Sequence, residues 1–152
     1  MDLAKVKKAI EIVETENGRN NCPRFERAYI PVGERFTVQG RIIVGAGTAF
    51  TPIAEERWKK WGLATAASYG MAQILYHTAA DLGFNLLNHP AVLWTHADTH
   101  DFYVTKRLRA IERGGATTID QFADAWNSGT WKDKIVPAVY ILKMREVFNK
   151  LP

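Results

Sequence analysis

Residues 67–84 of the chain read ASYGMAQILYHTAADLGF, and this stretch decides the fold that the sequence predicts. The pattern is that of a tight turn that opens a helix. Ser68 is placed to cap the helix, because its hydroxyl can accept from free backbone N–H groups, and Gly70 lets the backbone approach its surroundings closely. The helix is expected to end at Gly83. Its side chains at helical spacing predict one buried stripe, formed by Met71, Ile74, Leu75, Thr78, Ala79 and Leu82.

Length and composition indicate one globular domain spanning residues 1–152. The chain is 47% hydrophobic and 24% charged, and its net charge of +4 suits nucleic acid, a membrane surface or a cell wall. Lys and Arg form no block, which disfavours nucleic acid. The lone Cys22 excludes an internal disulfide and is expected to be an unreactive thiol. No apolar run approaches the roughly 20 residues of a membrane helix, and residues 1–8 lack the apolar core of a signal peptide.

The first helix is predicted over residues 3–16, where apolar side chains recur at three- and four-residue steps from Leu3 to Val13. Glu14 falls on the edge of this apolar stripe, one turn after Ile10. A carboxylate there is half desolvated, which raises its pKa. The alternative is an ordinary surface glutamate at a helix end.

Residues 17–35 contain two glycines and two prolines and predict a loop. Residues 36–44 alternate around Gln39–Gly40 and predict a β-hairpin inserted before the central stretch. This hairpin either flanks a substrate groove or is a solvent-facing decoration. Residues 53–62 predict a short helix with two tryptophans, one of which is expected to belong to the core and the other of which is left open.

A long helix is predicted to open at His89–Pro90 and to end at Gly114–Gly115. His96 and His100 lie one turn apart on it, with aspartates nearby, as in some metal pairs. Because no third ligand is placed, a polar helix face is the preferred interpretation, and no metal is expected. The predicted buried face consists of Leu93, Ala97, Val104, Leu108 and Ile111.

Two further helices close the chain. Thr118 and Gln121 form a capping-box pattern at the start of one helix, which runs into residues 125–129. Pro137 is placed in the first turn of the other. The predicted buried side chains of the first of these helices are Ile119, Phe122 and Ala125.

Several of these segments resemble motifs of the lytic transglycosylases and goose-type lysozymes, and they occur in the family's order. Residues 70–73, GMAQ, are similar to the Gly-Leu-Met-Gln turn of the family, although the Leu-Met order is not kept. Residues 78–79 and 82–83 match the Thr-Ala and Leu-Gly pairs of the helix that follows that turn. Glu14-Thr15 resembles the catalytic glutamate that ends the family's first long helix and is followed by Ser or Thr.

The resemblance continues in the second half of the chain. Residues 125–129, AWNSG, resemble the family's Ala-Tyr-Asn-Ala-Gly motif, and residues 140–143, YILK, resemble its Tyr-Val-x-Lys segment. Residues 17–62 depart most from the family. The resemblance implies a mainly α, lysozyme-like domain of the goose-type or SLT type, here with a small β-hairpin insertion. It also implies that the helix after His89 is structural scaffold.

The same resemblance implies an activity and a set of site residues. The family cleaves the β-1,4 bond between N-acetylmuramic acid and N-acetylglucosamine in peptidoglycan, and Glu14 would be the general acid and base. No metal or organic cofactor is implied. Tyr140 would reach back towards Glu14. The residues implied to bind or position the glycan are Thr15, Glu26, Ser68, Tyr69, Gly70, Met71, Gln73, Tyr76, Asn127 and Tyr140.

Glu26 has two interpretations. Residues 23–29, PRFERAY, resemble an Arg-x-Glu segment of phage-type members of the group. Glu26 is either a second active-site carboxylate or the structural partner of a neighbouring arginine, and the second interpretation is preferred.

The group that attacks the anomeric carbon is predicted from acidic residues that the sequence lacks. No Asp or Glu lies between Arg57 and residue 70, where goose-type lysozymes carry acidic residues. This favours attack by the substrate's own 6-hydroxyl and a 1,6-anhydromuramic product, hence a lytic transglycosylase. Attack by water would make the same protein a muramidase. A third possibility is a non-catalytic wall-binding or virion structural protein, against which the intact Glu14-Thr15 pair argues.

The expected partners are peptidoglycan glycan strands and other virion or lysis proteins, with no nucleic acid and no membrane insertion. The size, the missing signal peptide and the phage-type segment suggest an endolysin or a virion-borne enzyme of a phage or prophage. Such a protein is made in the cytoplasm and acts on the wall after release or virion delivery.

Overall fold

A computed structural model describes residues 1–16, 18–130 and 136–152. The described chain is mainly α-helical and carries two small antiparallel sheets. Its helices are α1 (Leu3–Thr15), α2 (Pro52–Trp61), α3 (Tyr76–Asp81), α4 (Val92–Thr95), α5 (Ala97–Arg113), α6 (Ile119–Ser128) and α7 (Ala138–Lys150). Its strands are β1 (Arg24–Phe25), β2 (Arg35–Val38), β3 (Arg41–Val44), β4 (Ala67–Tyr69) and β5 (Ile74–Leu75). Short 3-10 helices cover Arg27–Tyr29 and Gly62–Ala66.

Helix α1 lies at the centre of the helical core and confirms the predicted first helix. The Asp2 side chain caps it by accepting from the backbone N–H groups of residues 4 and 5. Val6, Ala9 and Ile10 are fully buried, and the helix packs against α5, α6 and α7. Glu16 ends it in the left-handed conformation, with φ at 52°. Glu14 is therefore held one residue from the end of a rigidly packed helix.

The central stretch differs from its prediction at the start. Residues 67–75 form β4, a turn and β5, so Ser68 lies in a strand and caps no helix. Helix α3 begins only at Tyr76 and is six residues long, and the chain leaves it at Gly83, as expected. Ile74 and Leu75 therefore belong to a strand and not to a helical stripe. Pairing of β4 with both β1 and β5 gives these residues hydrogen bonds that outweigh their helical spacing.

The predicted hairpin is confirmed as β2 and β3. Gln39 and Gly40 form its two-residue loop with φ values of 49° and 74°, as a type I′ turn requires. Phe36 packs edge-on against Trp58 of α2 at 5.8 Å between ring centroids. Trp58 and Trp61 are both half-buried, so neither is the core tryptophan that was expected.

The segment predicted as a loop over residues 17–35 is more ordered than expected. It contains β1 and the 3-10 turn Arg27–Tyr29; residue 17 lies outside the described part of the chain. Because β1 pairs with β4, this segment is fixed beside the central stretch.

The long helix predicted after His89 is broken at His96, which adopts extended backbone with φ at −121° and ψ at 97°. Helix α4 precedes the break and α5 follows it. Leu93, Val104, Leu108 and Ile111 are buried as predicted, whereas Ala97 is exposed because it begins α5.

Helices α6 and α7 complete the core. The capping box at Thr118 and Gln121 is present, and Pro137 is the N-cap of α7, one residue outside the predicted first turn. Phe122 and Ala125 are buried, while Ile119 is half-buried. Among the described helices, none has the length and apolar character needed to span a bilayer.

Candidate active site

The carboxyl group of Glu14 lies in a pocket of about 380 Å³, within the usual range for ligand sites. Its side chain is 11% exposed. The pocket is formed by elements that are distant in the sequence, namely α1, β1, the 3-10 turn Arg27–Tyr29, the β4–β5 pair, α3, α5 and α6. Its lining residues are Glu14, Arg24, Glu26, Ala28, Tyr29, Ser68, Gln73, Ile74, Leu75, Thr78, Arg107, Trp126, Asn127, Ser128 and Gly129.

Two side chains hold the Glu14 carboxylate. The Tyr140 hydroxyl donates to Glu14 Oε1 at 2.6 Å, in the contact that the resemblance implied. Arg24 donates through Nη1 to Glu14 Oε2 at 3.2 Å and through Nη2 to the Glu14 backbone carbonyl. The carboxylate thus has a fixed orientation at the pocket wall.

The pKa of Glu14 results from opposing effects. Burial raises it, the hydrogen bond from Tyr140 and the charge of Arg24 lower it, and the charge of Glu26 raises it. Burial is the largest effect, so the pKa of Glu14 stands above its ordinary value. A carboxyl group of this kind keeps its proton to higher pH, which a general acid requires.

The Arg-x-Glu spacing has a structural cause. Residues i and i+2 of an extended segment point to the same face, and Arg24 pairs directly with Ser68 across the β1–β4 ladder. Arg24, Glu26 and Ser68 therefore line the pocket together, while Phe25 packs on the core. Desolvation raises the pKa of Glu26, and Arg24 opposes this. Glu26 is thus a second carboxylate in the pocket of Glu14.

The turn that carries Gln73 is braced from inside the protein. Gln73 has φ at 52°, and its side-chain Nε2 donates to the Gly70 carbonyl at 2.8 Å and to the Cys22 carbonyl at 3.3 Å. Its Oε1 is buried and has no hydrogen-bond partner among the described residues. The amide is therefore fixed beside the pocket.

Thr15 connects α1 to this turn. It is fully buried. The Thr15 hydroxyl has two carbonyl acceptors within reach, that of Glu11 at 2.8 Å and that of Met71 at 2.9 Å. Gly18 N donates back to Oγ1 at 3.0 Å. The hydroxyl residue after Glu14 therefore positions the acid and the turn relative to each other and does not line the pocket.

The predicted binding residues divide into two groups. Those that line the pocket with Glu14 are Glu26, Ser68, Gln73 and Asn127. Those that do not line it are Thr15, Tyr69, Gly70, Met71, Tyr76 and Tyr140, of which Tyr140 contacts the Glu14 carboxylate. Tyr69 and Tyr76 are buried, and the Tyr69 hydroxyl donates to the Ala64 carbonyl at 2.6 Å. These two side chains support the pocket wall from the core.

Gly70 approaches its surroundings closely, as the sequence predicted, and the structure identifies the neighbour as His100. Its φ is 73°, and a Cβ atom there would lie 2.3 Å from the His100 ring. His100 is buried under the turn, whereas His96 is exposed in the break before α5. The two histidines therefore do not share a helix face, and no group of three metal-ligating side chains occurs among the described residues.

The structure adds pocket residues that sequence reasoning missed, chiefly Arg24, Tyr29, Arg107 and Trp126. Tyr29 stacks on the buried His77 at 4.4 Å between ring centroids. Burial and Arg57 lower the pKa of His77 to about 4, so its ring is neutral at physiological pH. The alternation of side chains around Glu26 could have identified Arg24 as a pocket residue. For Arg107, the corresponding sequence feature was its position beside the buried stripe of α5.

Comparisons of the chain with protein-family models, with curated proteins and with solved structures found no match.

Proposed function

We propose that this protein cleaves the β-1,4 glycosidic bond between N-acetylmuramic acid and N-acetylglucosamine in peptidoglycan, with Glu14 as the general acid. The observation that carries the proposal is the Glu14 carboxyl group, buried at the wall of an open pocket and held by Tyr140 and Arg24. The motif resemblance points to the same residue.

The chemistry requires what this carboxyl group offers. Glycoside cleavage needs a proton on the leaving oxygen while positive charge develops at the anomeric carbon. A carboxyl group with a raised pKa donates that proton near neutral pH. After donation, the resulting carboxylate is stabilised by Tyr140 and Arg24, and it can accept a proton from the attacking hydroxyl.

The pocket also offers polar groups for an amide-rich sugar. Ser68 and Asn127 line it with Glu14 and supply hydroxyl and amide groups that pair with N-acetyl and hydroxyl substituents, while the Gln73 amide is used within the protein to brace the turn. Trp126 lies on the same wall. In this scheme the glycan needs no cofactor to be bound and protonated.

A second candidate is hydrolysis, which makes the protein a muramidase. The specific observation in its favour is that Glu26 lines the pocket of Glu14 and that its charge affects the pKa of Glu14. A second carboxylate is what classical glycosidases use as base or nucleophile. The first candidate, intramolecular attack by the muramic 6-hydroxyl, requires no such residue.

Both candidate functions use Glu14 as the general acid, and the test of this role is Glu14→Gln. The substitution keeps the shape of the side chain and removes the proton donor. We expect loss of turbidity clearing of purified sacculi, by a factor on the order of 10² or more, with retained fold and retained sacculus binding. Glu11→Gln is the matched control. Glu11 is also buried on α1 with a raised pKa, but it does not line the pocket. Near-normal activity of Glu14→Gln, or equal losses in both variants, would refute Glu14 as the acid.

A further inference from the structure

Arg107 lines the pocket but takes no part in the proposed proton transfer. It lies on α5, is half-buried and lines the same pocket as Glu14. A guanidinium group placed in a binding pocket contributes a permanent positive charge, because it is not deprotonated in proteins.

The way in which Arg107 is held leaves part of it available. Its Nη2 donates to the backbone carbonyls of Ala125 at 2.8 Å and of Trp126 at 3.2 Å. Its guanidinium carbon lies 5.3 Å from the centroid of the Trp126 ring. These contacts fix the plane of the group and occupy one nitrogen. The Nε and Nη1 groups keep three N–H donors, to which no described residue presents an acceptor.

The charge of Arg107 is also not balanced within the described chain. Arg24 pairs with Glu14, Arg57 with Asp81 and Arg145 with Asp120, whereas no described carboxylate forms an ion pair with Arg107. Burial lowers the pKa of Arg107, which reflects the cost of keeping the charge there. An incoming anion offsets that cost.

We propose that Arg107 binds a carboxylate of the muramic acid branch of the glycan and thereby sets the register of the alternating polymer in the pocket. This inference rests on the proposed function. Of the two alternating sugars, only the muramic residue carries a branch that bears carboxylates. Glu26, when ionised, repels such a group from its part of the wall, while Arg107 attracts it with a planar fork suited to carboxylates.

Two sources can supply this carboxylate. In glycan stripped of its peptides, the lactyl group itself ends in a free carboxylate. In intact peptidoglycan, the lactyl group is an amide, and the nearest anions are the carboxylates of the stem peptide. Both present the same chemistry to a guanidinium.

The experiment measures calorimetric binding of three GlcNAc–MurNAc disaccharides, which lack the MurNAc–GlcNAc bond of the proposed reaction, to the Glu14→Gln variant. One has the free lactyl carboxylate, one has a neutral lactyl amide of the same shape, and one carries a dipeptide stem with its carboxylates. We expect at least one anionic ligand to bind about tenfold or more tightly than the neutral amide, as a charge-assisted hydrogen bond allows. Which anionic ligand shows the preference identifies the source.

Variants on α5 test whether Arg107 is the residue that causes the preference for an anionic ligand. Adding Arg107→Gln to the Glu14→Gln background should abolish the preference for the anionic ligand and leave the affinity for the neutral amide nearly unchanged, while Arg107→Lys should retain part of it. Arg109→Gln removes an exposed cation from the same helix and should have no effect.

The inference is overturned if the Glu14→Gln protein binds the amide as tightly as both anions, or binds none of the three. This outcome is measured on the Glu14→Gln protein alone, so it does not depend on whether an Arg107 variant folds. Equal weakening of all ligands by Arg107→Gln shows a structural role and also overturns it. Failure of the proposed function is separate, because it appears as unchanged sacculus cleavage by Glu14→Gln.

Discussion

At the scale of the residue, the state of Glu14 is set by a balance of burial against two donors. Burial raises the pKa of a carboxyl group, and it does so for Glu11 on the same helix against the charges of Lys7 and Lys8, although Glu11 does not line the pocket. What distinguishes Glu14 is that Tyr140 and Arg24 donate to it. Because both donors favour the ionised form, under the proposed function they stabilise the charge that remains after proton transfer.

This balance predicts a direction for the pH–rate profile of Tyr140→Phe. The active form of a general acid is protonated, so kcat/KM falls as pH rises through its pKa. The hydroxyl of Tyr140 lowers the pKa of Glu14. Without it, the alkaline limb of the profile should move to higher pH, while the maximal rate falls by roughly 10- to 10²-fold because a positioned donor is lost.

Arg24→Gln should move the alkaline limb in the same direction, since the charge of Arg24 also lowers the pKa of Glu14. Tyr103→Phe is the control, because its hydroxyl donates to the Gly83 carbonyl away from Glu14. A limb that stays fixed or moves to lower pH in Tyr140→Phe would contradict the assignment of that limb to Glu14.

At the scale of the element, the turn at residues 70–73 depends on the close contact of Gly70 with His100. Any side chain at Gly70 meets the buried His100 ring in addition to the strain of a positive φ. We expect Gly70→Ala to lower the free energy of unfolding by about 2–4 kcal/mol, which combines backbone strain with overpacking. Urea denaturation measures this change.

Gly40→Ala is the matched control for Gly70→Ala. Gly40 has nearly the same φ, 74°, but a Cβ atom there meets nothing within 4 Å. It should cost only the backbone strain, on the order of 1 kcal/mol. Since His100→Ala opens the space that the new methyl group needs, it should recover part of the loss when combined with Gly70→Ala. Equal losses at the two glycines would show that contact with His100 is unimportant.

The elements that local sequence patterns determine were predictable. The apolar periodicity of α1, the Gln39–Gly40 turn and the capping box at Thr118 each depend on residues close together in the chain. The position of Glu14 on the edge of the helical stripe is likewise a local property, but it left a surface glutamate as an alternative, and the motif resemblance was what indicated a site residue.

What could not be predicted depends on pairing between distant segments. Ile74 and Leu75 have helical spacing but form a strand, because β1 and β4 extend the sheet to them. The partnership of Arg24 with Glu14, and the place of Arg107 in the pocket, require β1 and α5 to be positioned by tertiary packing. Tyr76, predicted to bind substrate, is instead fully buried in the core, where its ring packs edge-on against Phe84.

At the scale of the whole molecule, the pocket is a junction of the helical core with the small sheet. Helix α1 supplies the acid, α7 supplies its hydroxyl partner, and β1 brings Arg24 and Glu26 from the segment that departs most from the family pattern. The part of the chain with the least familiar sequence therefore contributes the second carboxylate. Under the proposed function, a catalytic role of Glu26 would therefore change the product, and the absence of such a role would not.

The last prediction concerns that product. Intramolecular attack by the muramic 6-hydroxyl has the advantage of proximity, because this hydroxyl is tethered to the reacting sugar. Hydrolysis instead requires a base that holds a water molecule, and no acidic residue lies between Arg57 and the central turn to do so. We therefore expect mass spectrometry of digested sacculi to find 1,6-anhydromuramic ends, and we expect Glu26→Gln to leave their fraction unchanged.

Glu26 is the residue that can reverse this expectation, because it lines the pocket of Glu14. Inverting glycosidases keep their two carboxyl groups roughly 6.5–9.5 Å apart, with the attacking water between them. If Glu26 acts in this way, the products have reducing muramic ends, and Glu26→Gln abolishes them while Asp81→Asn, at an exposed carboxylate outside the pocket, does not. Reducing ends that depend on Glu26 would establish a muramidase and refute the transglycosylase. Anhydro ends that persist without Glu26 leave Glu14 as both the acid and the base, with Arg24 and Tyr140 stabilising its charge between the two steps.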